Sequence, residues 1–237
     1  MLQVIQAQEE PFVTKPEVVD SRITQDRVLV NSFYHRIIQI IPASHTGPNE
    51  GDRMTTVGSG VIIEYKAKRY LLTAEHLRGA LGKIYIENTN YPDEPHYETS
   101  LISKKGQETP KVDIALYSLP DDFPVDYRSI KLAEKQSPIA SPITAIGFPL
   151  TNRDKPRKDA VLKINSVIIA DPDPDLMKAL CVKAPLVAGM SGGPILNSKN
   201  ALEGITSGTI QKIGGRPSYG ISTKLKHIKV FLEGNVK

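Results

Sequence analysis

Residues 189–194 read Gly189-Met190-Ser191-Gly192-Gly193-Pro194, a glycine-rich turn that presents one hydroxyl between two apolar segments. A nucleophilic serine must approach a substrate carbonyl while backbone N–H groups converge on the developing oxyanion. Only residues without a Cβ let backbone and ligand come that close. At average usage of Gly, Pro and Ser, such a window arises by chance on the order of a few times in ten thousand chains of this length. Taken alone, it fits equally a tight hairpin turn whose serine bonds only its own backbone.

A hydroxyl is a poor nucleophile near neutral pH, so the nucleophilic reading requires a histidine as general base and a carboxylate to orient it. The chain holds five histidines. His35, His45, His96 and His227 lie at a strand approach, in polar loops or on a helix, without flanking chemistry, and read as exposed or packed side chains. His76 differs: it follows Tyr70-Leu71-Leu72-Thr73-Ala74-Glu75 and precedes Leu77-Arg78-Gly79, where an apolar strand leaves the core. A lone histidine there is more often structural. Asp113 opens Asp113-Ile114-Ala115-Leu116-Tyr117, an acid at the mouth of a buried strand. Desolvation there favours a partner such as His76, although a turn aspartate reads the same way in isolation.

Outward from these segments, short β-branched runs recur between Gly, Pro, Asn and Asp, at 36–41, 60–65, 70–73, 83–87, 114–119, 143–148, 161–170, 180–183, 193–196, 204–210 and 219–222. Many short strands without a helical rhythm predict an all-β sandwich or barrel architecture. One helix is expected at the end: after Thr223 as N-cap, Leu225, Ile228, Phe231 and Leu232 fall near helical spacing. Residues 120–142 carry Pro120, Pro124, Pro138 and Pro142 and read as a link between two strand-rich halves. Residues 1–30 read as a polar arm, with helix expected from Ser21 onward.

The 237 residues carry 30 Lys plus Arg against 26 Asp plus Glu, a net charge of +4, and are 40% hydrophobic. That composition excludes fibrous and wholly disordered classes. The basic residues are scattered and support no nucleic-acid partner. No run reaches the ~18 apolar residues of a spanning helix, and the first ten residues carry no signal-peptide pattern. Cys181 is the one cysteine, so no disulfide framework exists and a cytoplasmic location is expected. No Cys/His cluster has ligand spacing, so neither a metal nor a cofactor is expected.

Together, Ser59-Gly60-Val61-Ile62-Ile63, Leu71-Leu72-Thr73-Ala74-Glu75-His76, Asp113-Ile114-Ala115-Leu116 and the turn at 189–194 resemble the chymotrypsin-like (trypsin-like) serine peptidase family, in its order His, Asp, Ser. Gly204-Ile205-Thr206-Ser207 and Gly220-Ile221-Ser222-Thr223-Lys224 extend the resemblance, which covers about 35–237. It implies two six-stranded antiparallel β-barrels with a C-terminal helix. Residues 31–123 would form the first barrel, 124–142 the linker and 143–237 the second barrel. It also implies a serine endopeptidase in which Ser191 is the nucleophile, His76 the base and Asp113 its orienter. Gly189 and Ser191 would form the oxyanion hole, with Pro185, Ser207, Thr209 and Gly220 around the specificity pocket.

Two positions depart from the best-known members. Met190 stands where an aspartate pairs with a newly released N-terminal amine, and a thioether cannot form that ion pair. Pro185 stands where trypsin binds basic side chains through an aspartate, so a neutral pocket is implied. The expected partners are a protein or peptide substrate and a regulatory protein acting in place of the missing switch, with no membrane. No further binding module is expected beyond the terminal helix. The competing reading is an inactive or conditionally active peptidase-fold module that binds proteins. An α/β-hydrolase is excluded by order, since its acid and histidine follow the serine.

Overall fold

Along 61–63, 70–72 and 115–117 every side chain is buried, because these strands have apolar neighbours on both faces. Ile62, Leu71, Ala115 and Tyr117 point to one side, with Ile84, Ile86, Phe123 and Tyr127. Val61, Ile63, Tyr70, Leu72 and Leu116 point to the other, the period-2 alternation of a strand. The first set fills a barrel and the second covers its outer wall. The computed structural model describes residues 17–18, 34–41, 53–78, 84–87, 96–103, 112–125, 127–150, 161–170, 179–210 and 218–237.

The first barrel comprises β2 (Tyr34–Ile41), β3 (Arg53–Tyr65), β4 (Lys68–Thr73), β5 (Ile84–Ile86), β6 (Tyr97–Leu101) and β7 (Ala115–Ser118). It closes in the order β2-β3-β4-β7-β6-β5. The second comprises β8 (Pro142–Gly147), β9 (Leu162–Ile169), β10 (Ala179–Val182), β11 (Pro194–Asn197), β12 (Leu202–Ile210) and β13 (Tyr219–Lys224). Its pairings run β9-β10-β13-β12-β11-β8, and β8 also pairs with β9. Ile143, Ala145, Ile164, Leu180, Met190 and Ile195 are among the residues that fill it. All these pairings are antiparallel, so the two-barrel, all-β class expected from the sequence is the one observed.

Three details differ from the sequence reading. β3 begins at Arg53 rather than at 60, and β6 was not expected at all. A two-residue strand β1 (Glu17–Val18), inside the polar arm, pairs with Leu162 and Lys163 of β9. The helix expected from Ser21 lies outside the described residues.

The segment after the first barrel works as a splint. Ile130 forms a parallel bridge to Ile63 of β3, and Leu132 another to Leu202 of β12. Its backbone exchanges hydrogen bonds with both: Ile130 N–H to Ile62 O (2.9 Å), Ala133 N–H to Leu202 O (2.9 Å) and Leu202 N–H to Lys131 O (3.0 Å). The helix α1 (Leu225–Asn235) buries Leu225, Ile228 and Leu232. Ile228 and Leu232 join the cluster of Val61, Leu72, Phe148 and Ile205 between the barrels. Thr223 is not its N-cap, because β13 continues through Lys224, which occupies that position without a side-chain cap. The orphaned Leu225 N–H donates instead to Gln136 Oε1 at 3.1 Å. Gln136 in turn donates to the buried Glu203, which Ser137 and Asn197 also reach.

Candidate active site

Antiparallel pairing of β4 with β7 sets Thr73 opposite Ala115, so the residues just after one strand and just before the other share one end of the first barrel. There the chain makes a short 3-10 turn, Glu75–Leu77, pinned by the buried Leu77. His76 is thereby exposed next to Asp113. Its backbone N–H donates to Asp113 Oδ1 at 3.0 Å, and its Nδ1 lies 2.8 Å from Oδ2. An ionised carboxylate only accepts, so Nδ1 carries the proton and a neutral imidazole keeps its lone pair on Nε2.

The electrostatics follow from this contact. The hydrogen bond to Asp113 raises the His76 pKa above its ordinary value, against the lowering effect of burial. Burial alone would raise Asp113. Hydrogen bonds and charge from His76, with a smaller contribution from the nearby Ser207 hydroxyl, outweigh it and hold the carboxyl below its usual range.

Ser207, on β12 of the second barrel, contacts the Ser191 turn. A register shift in the β12–β13 ladder between Thr206 and Gly208 leaves Ser207 as the extra residue, which re-aims it. Its carbonyl accepts the Ser191 hydroxyl at 3.3 Å. The resemblance placed Ser207 among substrate contacts; the structure also gives its carbonyl a bond from Ser191.

The turn carrying Ser191 is held by its carbonyls. Ala188 O accepts Leu150 N–H (2.9 Å), Met190 O accepts Gly193 N–H (2.9 Å) and Ser191 O accepts Ser59 N–H (2.8 Å). Met190 N–H donates to Val187 O (3.1 Å) and Gly192 N–H to Thr206 O (2.7 Å). The N–H groups of Gly189 and Ser191 donate to no acceptor among the described residues. A trans peptide directs N–H opposite to C=O, so these two point away from Leu150 and Gly193 respectively. Glycine is required twice. Gly189 has φ +94° and an added Cβ would stand 2.3 Å from Phe148 O; Gly192 has φ +82°, and its Cβ would stand 2.1 Å from Ser59 O.

Met190 is fully buried inside the second barrel. It lies against Gly147, where an added Cβ would come within 2.8 Å of Met190 Cα. The position that carries the activation carboxylate in the best-known members is here an apolar anchor. Met190→Asp is therefore expected to destabilise the protein by about 3 kcal/mol or more, because an unpaired carboxylate would enter an apolar core. Urea denaturation at neutral pH checks this, and an unchanged midpoint would contradict the anchor role.

Of the residues that the resemblance puts around a specificity pocket, Thr209 and Gly220 meet around Leu186. Thr209 Oγ1 accepts Leu186 N–H at 2.7 Å and donates to the Leu186 carbonyl. A Cβ on Gly220 would stand 2.6 Å from both Leu186 Cγ and Val182 Cγ2. Pro185 is exposed beside them. Leu186 is not singled out by the sequence, and Ser59 enters the resemblance only as the first residue of a matched segment, with no role assigned. The only signal for Ser59 is its place between Gly58 and Gly60, and Leu186 resembles any loop leucine until Gly220 is set against it.

The family model of the trypsin-like peptidase domain matches residues 58–205. No curated protein matches the sequence. Among solved structures, the HtrA-type protease AlgW with decapeptide superposes with a TM-score of 0.61 at 18% identity, over 86% of this chain and 64% of that one. The chain thus spans less than two thirds of that protein's length, and the likeness is one of fold. With more than half of its residues under the family model, and with two barrels flanking a glycine turn, the chain belongs to the trypsin-like peptidase domain family.

Proposed function

We propose that the chain is a serine endopeptidase that cleaves peptide bonds through an acyl-enzyme. The observation that carries this reading is that the Ser191 turn packs against the chain just before His76, Gly192 lying against Thr73 and Ala74, while His76 is hydrogen-bonded to Asp113 and the turn carries two N–H groups that donate to no described acceptor. Ser191 Oγ would release the Ser207 carbonyl, a bond that at 3.3 Å is long for a hydroxyl donor. It would pass its proton to His76 Nε2 as it attacks the substrate carbonyl. The tetrahedral oxyanion would accept from Gly189 and Ser191 N–H, donors worth a factor of ~10² to 10³ each in comparable sites. His76 would then protonate the leaving amine, and water would repeat the sequence on the acyl-serine.

An extended peptide suits the site. β12 beyond Thr206 pairs with β13 on one edge, and no described strand takes the other from Ser207 to Ile210, so a substrate could add there as a further strand. Leu186 packs against Gly220, and Pro185, Ser207, Thr209 and Gly220 carry no charge, which favours a small uncharged side chain before the scissile bond.

Reaction with a fluorophosphonate probe tests the reading. The full chain is expected to gain one adduct, mapped to Ser191, and the S191A chain none. A wild-type chain that takes no adduct would support the competing binding-module reading.

A further inference from the structure

Ser59 is fully buried in β3 and grips the turn of the second barrel from the first. Its backbone N–H donates to Ser191 O at 2.8 Å. Its hydroxyl donates to Gly189 O at 2.8 Å and accepts Phe148 N–H at 2.9 Å. Its own carbonyl accepts the Thr73 hydroxyl at 2.7 Å, and Thr73 is the last residue of β4, three positions before His76. One residue thus touches the chain segments that lead to both His76 and Ser191.

The hydroxyl acts on one peptide in particular. The Gly189–Met190 peptide has its carbonyl on Ser59 Oγ and its N–H on Val187 O, so its plane is fixed from both sides. The uncommitted N–H groups belong to the peptides on either side of it. Their directions follow from the φ and ψ angles of Gly189 and Met190, which a held central peptide constrains. Gly189 has the broadest conformational freedom of any residue type, so the turn does not hold this plane by itself.

We infer that Ser59 is a positioning residue for the proposed peptidase reaction: its hydroxyl holds the 189–190 peptide so that Gly189 and Ser191 present their N–H groups together. This rests on the peptidase reading above. Ser59, with the buried Met190, supplies from inside the fold a hold that an N-terminal ion pair to position 190 cannot supply here. Water cannot replace the lost hydroxyl without entering a fully buried site, so Ser59→Ala leaves Gly189 O and Phe148 N–H unpaired.

A merely structural serine would lower stability too, so the test separates ground-state binding from transition-state binding. The full chain and S59A are compared on one cleaved peptide and with a peptide boronate, whose tetrahedral adduct needs both N–H groups. Expected for S59A is a fall in kcat of about 10- to 100-fold, smaller than loss of a direct donor, with KM within about twofold. Boronate affinity should fall by the same factor as kcat/KM. If S59A does not fold, S59C takes its place, since a thiol keeps the shape but is a weak donor and acceptor. A folded variant whose kcat and boronate affinity match the wild type overturns the inference. A wild-type chain inert to both fluorophosphonate and boronate overturns the peptidase reading and this inference with it. A reactive wild type with an indifferent Ser59 variant overturns this inference alone.

Discussion

Ser191→Ala is expected to lower kcat/KM on a peptide substrate by about 10⁴- to 10⁶-fold. The size follows from the proposed mechanism: without the hydroxyl, water must attack unaided, while the two N–H groups and the free edge of β12 would still bind the substrate. KM should therefore change little. The fold should be nearly indifferent, because the side chain is only partly buried and its described hydrogen bond is the long contact to Ser207. A stability change within about 0.5 kcal/mol is expected by denaturant unfolding. Initial rates and unfolding curves measured on the same preparations check both halves. A fall of less than about tenfold would remove Ser191 from the chemistry.

Asp113→Asn is expected to cost about 10⁴-fold in kcat and to move the acid limb of the pH profile. Asp113 raises the His76 pKa through its hydrogen bond and charge. The base must be neutral to accept a proton, so kcat/KM in the wild type climbs as pH rises through that raised value. In the variant the imidazole loses the raise, and the residual activity should reach its plateau at lower pH. A limb that stays in place would mean that His76 does not titrate in the reaction.

The same shifts set an opposite trend in stability. The raised His76 contributes stability that is complete below its ordinary pKa and is lost as pH rises through the raised one. The lowered Asp113 contributes stability above the usual carboxylate range that is lost as pH falls through its lowered value. The pair stabilises the fold most in mild acid, whereas the proposed reaction needs the deprotonated imidazole on the alkaline side of that window.

How much of this was readable from the chain depends on how local each signal is. His76, Asp113 and the glycine turn sit beside long apolar runs whose burial fixes where the chain leaves the core. Through these short motifs the chain resembles the peptidase family, and that resemblance implied the two-barrel class that is observed and the chemistry that is proposed. β6 gives no such signal, because in Tyr97–Leu101 the one fully buried side chain is the polar Thr99, and Tyr97 and Leu101 are only partly buried. The Ser59 hydroxyl bonds to Phe148 and Gly189, 89 and 130 residues away, so no window of sequence contains the arrangement. The position of Met190 excluded an ion pair in advance, yet its burial inside the barrel depends on the missing side chain of Gly147. The terminal helix was expected from its apolar spacing, but its first N–H is satisfied by Gln136, far away in the chain, and this misplaced the cap at Thr223.

The splint between the barrels bears on how the two barrels can move. Ile130 and Leu132 are bridged to β3 and β12 respectively, so hinge-like breathing of one barrel against the other would have to rupture main-chain bonds on both. Amides in that crossing should exchange with solvent only when the whole molecule opens, and the two barrels should melt as one cooperative body. Under the proposed function, adjustment to a substrate peptide is then left to side-chain rotations such as that of Ser191.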